Sequence, residues 1–283
     1  MLHAGEVAGE HLGVPYSGSL LLCEGTDADG SLARRGGGVS GAALHEGYWI
    51  DIEAERRRLA RIEDLHARFE RLDAVELERR LAWRGPVADP AAPGEPALRL
   101  ARASLRPALD GGDRLRLALW NERRAAGRPP LSLDELLEVV FVHEEGHLTD
   151  RTRLLPLGDN LGGVLGFALD ARLSPTRVEE ELEYRAELVA LAAVSEPRMA
   201  LAEIMDAARV DERRRGVHGR AYTRLLGDFL TELDASLVAD PDRFPELDGE
   251  RYLQHQLHRL QGETVRELAE QLAAKRGMVA DDF

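Results

Sequence analysis

The sequence predicts a mainly helical α+β protein with a small β-rich element at its N-terminus, and three observations carry that expectation. Aromatic residues are only 5% of the 283 residues although 44% are apolar, so the core is built on Leu and Ala, as in packed helices. Residues 1–50 are rich in glycine and lack helical periodicity. From Asp51 onward apolar residues recur every three or four positions, with capping signals between the runs. The length allows one large domain or two small ones. Composition divides it into a β-rich segment 1–50 packed on the main body, a helical segment 51–127 and a further helical region 128–283.

Taken in order, Ser17 to Cys23 and Val39 to Ile50 read as short strands flanking a polar loop, Glu24 to Gly38, with Asp27, Asp29 and Gly30 as turn formers. Gly36 to Gly41 formally matches G-x-G-x-x-G, but a dinucleotide site needs a helix directly after the glycines. Here Ala42 to Ile50 reads as strand, so nucleotide binding is not expected. A phosphate-binding P-loop is excluded because its lysine is missing. From Asp51 to Trp83 the pattern is helical, with Leu59, Ile62, Leu65, Phe69 and Leu72 on one face. A Pro/Ala/Gly-rich stretch from Pro86 to Pro96 ends it, and Leu98 to Trp120 fits helix by composition and strand by alternation. Ser132, with Glu135 three residues on, forms a capping box for a helix running to about Leu148. Ser174-Pro175 opens a second helix to about Val194. Pro197 opens a third to about Arg209, and Ala221 to Leu237 and Arg251 to Lys275 read as two more.

The formal net charge of −14 repels phosphate backbones and anionic lipid, so neither nucleic acid nor a membrane surface is an expected partner. The basic runs Arg56-Arg57-Arg58 and Arg213-Arg214-Arg215 sit among acids and read as solvated helix faces. Cys23 is the only cysteine, which excludes an internal disulfide and a cysteine zinc finger. Lys275 is the only lysine, a bias of composition without functional meaning. Met1 to Glu10 lacks the pattern of a signal peptide, and the longest apolar stretches, Leu161 to Leu169 and Leu188 to Val194, are too short to cross a bilayer. A cytoplasmic location is the expectation.

The chemistry concentrates in His143-Glu144-Glu145-Gly146-His147, an H-E-x-x-H motif on the capped helix. Residues four apart on a helix are about 40° out of phase, so both imidazoles share a face and can chelate one ion. Neutral imidazole suits a borderline ion such as Zn²⁺. Glu144 lies beside that face, where it can take a proton from a water that the metal activates. The apolar run Leu136 to Val142 predicts that this helix is buried, and buried histidines need partners. A catalytic zinc site wants a third protein ligand. No third histidine follows closely, whereas the next helix carries Glu183 and Glu187 one turn apart beside its apolar side. Glu179 to Glu181 lie at its more exposed start.

With H-E-x-x-H followed by Glu183-Tyr184-Arg185-Ala186-Glu187, the sequence resembles the gluzincins, zinc metallopeptidases whose third ligand is a glutamate on a following helix. The nearest pattern is the E-x-x-A-D or E-x-x-A-N element of the membrane CAAX prenyl proteases with their heat-shock relatives. A related form occurs in soluble peptidases that cleave phage repressors. The resemblance covers about residues 132–194. It implies a zincin-like metallopeptidase domain, one Zn²⁺, a peptide or protein substrate, ligation by His143, His147 and Glu183, and Glu144 as catalytic base. Glu187 would hydrogen-bond a ligating histidine. Position 187 holds Glu rather than Asp or Asn, and the membrane helices of the prenyl proteases are missing. The alternatives are an inactive zincin-like scaffold or a metal hydrolase of another substrate. His218 and Tyr222 are candidates for polarising a substrate carbonyl. His255 and His258 read as a solvated or packed pair, and Asp150 and Asp159 as caps or turns.

Overall fold

A computed structural model describes residues 3–24, 41–44, 46–71, 74–85, 110–170, 173–208 and 216–280. The glycine match before Gly41, the loop from residue 25 to Gly38, the Pro86–Pro96 stretch, the part of Leu98–Trp120 before residue 110, Arg213–Arg215 and the side chain of Asp159 lie outside the described residues.

Glycines and short apolar alternations fold the N-terminal part into a four-stranded sheet of order β1-β2-β4-β3. Strand β1 (His3–His11) and β2 (Val14–Cys23) form an antiparallel hairpin, with His11 opposite Val14 and His3 opposite Leu22. Its turn residues Leu12 and Gly13 both have positive φ (52° and 75°), as a tight two-residue turn requires. The Leu12 carbonyl accepts from the Ala280 N–H at 3.0 Å, so the other end of the described chain closes over this turn. The stretch expected as one strand from Val39 is two, β3 (Gly41–Leu44) and β4 (Gly47–Asp51), paired antiparallel. Strand β4 also runs parallel to β2, Ser19 opposite Gly47. A Cβ on Gly47 would lie 2.1 Å from the Ser19 carbonyl oxygen, so only glycine lets the strands meet there. Strand β1 was not expected. Its residues are mostly small or polar and exposed, and main-chain pairing holds it, with Val7 packed against the apolar layer beneath the sheet.

Nine helices are described after the sheet. They are α1 (Ile52–Glu70), α2 (Ala74–Leu81), α3 (Gly111–Ala125), α4 (Leu133–Leu154), α5 (Leu157–Asp170), α6 (Pro175–Ala193), α7 (Pro197–Ala208), α8 (Val217–Ala239) and α9 (Gly262–Lys275). The capping box forms as expected: the Ser132 N–H donates to Glu135 at 2.8 Å and the Glu135 N–H to Ser132 Oγ at 3.3 Å. Helix α4 continues two turns past Leu148. Helix α5 was not expected, because its run is rich in glycine, which favours turns over helix; it exposes Leu161, Leu165 and Leu169. The helix expected from Arg251 is broken. Two 3₁₀ turns, Leu253–His255 and Leu257–Arg259, precede an extended Leu260 and α9. The buried Gln256 causes this: its amide donates to the Asp248 carbonyl at 2.9 Å and accepts from the Asp248 N–H at 2.8 Å. A looped backbone is thereby held where a helix would run.

The main core joins α4, α6, α7, α8 and α9 through residues such as Val142, Leu188, Met199, Phe229 and Leu268. A second apolar layer lies between the sheet and α4, where Tyr48 and Ile50 meet Leu137, Val140 and Leu148. Helix α4 is therefore covered on both sides. Among the described residues no helix is long and apolar enough to cross a membrane.

Candidate metal centre

Helices α4 and α6 approach unusually closely at one point. A Cβ on Gly146 would stand 2.8 Å from Ala186 Cα and 3.1 Å from its carbonyl oxygen. The glycine inside H-E-E-G-H and the alanine inside E-Y-R-A-E are thus one packing contact, seen from two helices. One turn further, Arg185 clamps the buried Asp150 with Nε at 2.8 Å and 2.9 Å from its two oxygens. Asp150 is an interhelical anchor rather than a cap.

The contact brings Glu183 across to the histidines. His143, His147 and Glu183 each offer one ligand atom, and these atoms lie within 4.8 Å of one another. His143 Nε2 is 3.5 Å from Glu183 Oε2, and His147 Nε2 is 3.8 Å from Glu183 Oε1. Those separations are long for hydrogen bonds. They are near the roughly 3.3 Å between donors around a tetrahedral ion with bonds of about 2.0–2.1 Å. The other nitrogen of His143, Nδ1, meets Glu187 Oε2 at 2.9 Å. Facing a carboxylate, Nδ1 is the donor, so the neutral ring would present the Nε2 lone pair towards Glu183. The group can hold a metal ion.

Charge is unevenly shared in the cluster. Burial would lower the His143 imidazole, but the carboxylates of Glu183 and Glu187 hold it well above its ordinary value. His147 is pushed down to about 4 by burial and by the positive charge of His143. Burial acts to raise the Glu183 carboxyl, yet the facing imidazoles of His143 and His218 hold it well below the usual carboxylate range. One proton on His143 thus stands between several acids, a position suited to a cation. Glu144 is 4% exposed, beside the ligand face of α4.

His218 and Tyr222, on the first turns of α8, both come to this site. His218 Nε2 lies 3.0 Å from Glu183 Oε2 with its side chain 49% exposed, so it forms the open rim. The Tyr222 ring faces both His143 and His218, at 6.4 Å and 6.2 Å between centroids. Burial and the charges of Glu187 and Glu183 push its phenol well above the ordinary value, so it stays protonated. Glu179 to Glu181 do not join the cluster; Glu180 and Glu181 pair with Arg220 and Arg224 on α8. His255 and His258 belong to a different cluster.

Sequence reasoning missed how the sheet grips the motif. Glu145 accepts from Tyr48 at 3.1 Å, meets His11 Nε2 at 2.8 Å, and hydrogen-bonds Tyr16, whose ring stacks on His11. These partners lie far away in sequence, and no local pattern marks them. Glu203 of α7 was also missed. It is ion-paired with Arg58 and close enough to Glu187 to feel its charge, and burial with that charge raises it to about 7.

No family model matches the chain, and neither the curated proteins nor the solved structures contain a match.

Proposed function

We propose that the chain is a zinc-dependent metallopeptidase on a zincin-like fold, hydrolysing peptide bonds with Glu144 as base and His143, His147 and Glu183 as ligands. The observation that carries this reading is the meeting of two helical imidazoles and a carboxylate from the facing helix, next to a buried Glu144. The donor set suits the ion: two imidazoles and one carboxylate leave a fourth position open, as catalytic zinc sites do. Zinc bound there would act as a Lewis acid and bring the pKa of a water towards neutrality.

The chain's own residues supply the rest. Glu187 accepts the His143 Nδ1 proton and so fixes which nitrogen faces Glu183. Glu144 takes a proton from the attacking water and returns it to the leaving amine. Gly146 and Ala186 set the distance between the two helices that carry these groups.

Elemental analysis of the purified protein is expected to find about one zinc per chain. Glu144→Gln is expected to keep that zinc while turnover of a peptide library falls by about 10²–10⁴-fold. Absence of any stoichiometric transition metal after zinc is offered would overturn the reading. Zinc without turnover in the native chain would leave a metal-binding protein that is not a peptidase.

A further inference from the structure

A second cluster of ionisable side chains sits where the end of α2, the first turn of α3 and the two 3₁₀ turns meet. The Arg114 guanidinium lies 4.1 Å from the centre of the Trp83 ring and is only 5% exposed. Its Nε and Nη1 are buried and meet no hydrogen-bond acceptor among the described residues. The His255 ring meets Trp83 edge-on at 5.0 Å, and its Nε2 is likewise buried without a partner. Gly85 brings the backbone against this ring: a Cβ there would lie 2.8 Å from His255 Cβ.

The surroundings are cationic, against the −14 of the whole chain. Arg114 and Arg259 both depress His258, Arg84 depresses Arg259, and Arg114 depresses His255. Among acids, Asp248 is engaged with Arg251 at 2.9 Å, Glu246 acts on Arg259, and Asp110 pulls on Arg114 from its position capping α3. Burial outweighs that pull and lowers Arg114 to about 10. A guanidinium taken out of water needs acceptors, and stacking on an indole supplies none. Arg114 also lies in the first turn of α3, where helix N–H dipoles favour a negative charge.

We infer that this cluster is a binding site for a small oxyanion, a carboxylate or a phosphate group, held by Arg114 and His255 beside Trp83. It shares no residue with the metal centre and stands independently of the peptidase reading.

Tryptophan fluorescence and calorimetry test it, on the full chain titrated with sodium phosphate and separately with sodium acetate at constant ionic strength in chloride. At least one anion is expected to give saturable binding by both methods, and whichever binds more tightly identifies the ligand class. Trp83→Phe is expected to lose the fluorescence signal and keep the binding heat. Arg114→Gln is expected to weaken binding by about 10-fold or more, the usual cost of a charged hydrogen-bond partner. If Arg114→Gln does not fold, His255→Phe serves, since it keeps a ring and removes the nitrogens. Failure of both anions to saturate overturns the proposal. So does native affinity in folded Arg114→Gln or, where that variant does not fold, in His255→Phe.

Discussion

The metal centre and the Trp83 cluster are built from the same residue and differ in sign. Each holds two histidines close in sequence, one buried and one partly buried: His143 with His147, and His258 with His255. Around the first pair stand Glu144, Glu183 and Glu187; around the second stand Arg114, Arg84 and Arg259. Burial acts to lower every one of these imidazoles. Carboxylates reverse it at His143, whereas His255 and His258 fall to about 4. His147 falls as well, because His143 beside it already carries the charge. A histidine is therefore not a metal signal in itself. The formal charges packed against it decide whether the pocket suits a cation or an anion.

The sharpest way to break the contrast is to remove an acid from the first cluster. Glu183→Ala is expected to lose zinc on dialysis, an affinity drop of more than about 100-fold, because a ligand goes. Glu187→Ala is expected to weaken zinc by about 10–100-fold, the loss of a partner that orients a ligand. Glu180→Ala, whose partner is Arg220, is expected to bind zinc like the native chain. Metal titration of the three variants orders them, and loss of zinc in Glu187→Ala but not Glu183→Ala would move the ligand by one turn.

Gly146→Ala comes next. Its new methyl meets the backbone of Ala186, which cannot rotate away, so a cost of about 1–3 kcal/mol is expected in urea unfolding. Zinc affinity is expected to fall with it, since α4 and α6 are pushed apart. An unchanged midpoint would show that the helices have room to slide.

The smallest effect concerns pH at the second cluster. The His258 imidazole is buried neutral, with a folded value near 4 against 6.5 for an ordinary histidine, and donates to the Leu81 carbonyl at 2.6 Å. The unfolded chain therefore binds a proton that the folded chain refuses between those values. Stability that is full above about pH 6.5 declines as pH falls towards 4. In His258→Gln this decline is expected to be shallower, measured as the urea midpoint at pH 7.5 and pH 5. Equal slopes in the two proteins would mean that His258 takes its proton in the folded state.

Much of the metal centre is legible in sequence because helices are local. Ser132 and Glu135 cap α4, the four-residue step aligns His143 with His147, and Pro175 starts the helix that carries Glu183. The choice between Glu183 and Glu187 needed the resemblance, since both share a face; the fold sets them apart by distance to different nitrogens of His143. What stayed hidden depends on contacts between distant segments. His11, Tyr16 and Tyr48 reach Glu145 only after β1, β2 and β4 have paired. The break before α9 depends on one buried glutamine, whose side chain outcompetes a helical pattern that Leu253, Leu257 and Leu260 otherwise support. The anion cluster shows no motif, because Trp83, Arg114 and His255 come from three separate elements.

The bond from Ala280 to the Leu12 carbonyl sets an order of events during synthesis. The β1–β2 turn is made long before its covering partner, which follows all the described helices in the chain. His11, next to that turn, is also a partner of Glu145 inside the H-E-x-x-H motif. A growing chain can therefore pair α4 with α6 first, and it seats its hairpin fully only once residue 280 has emerged.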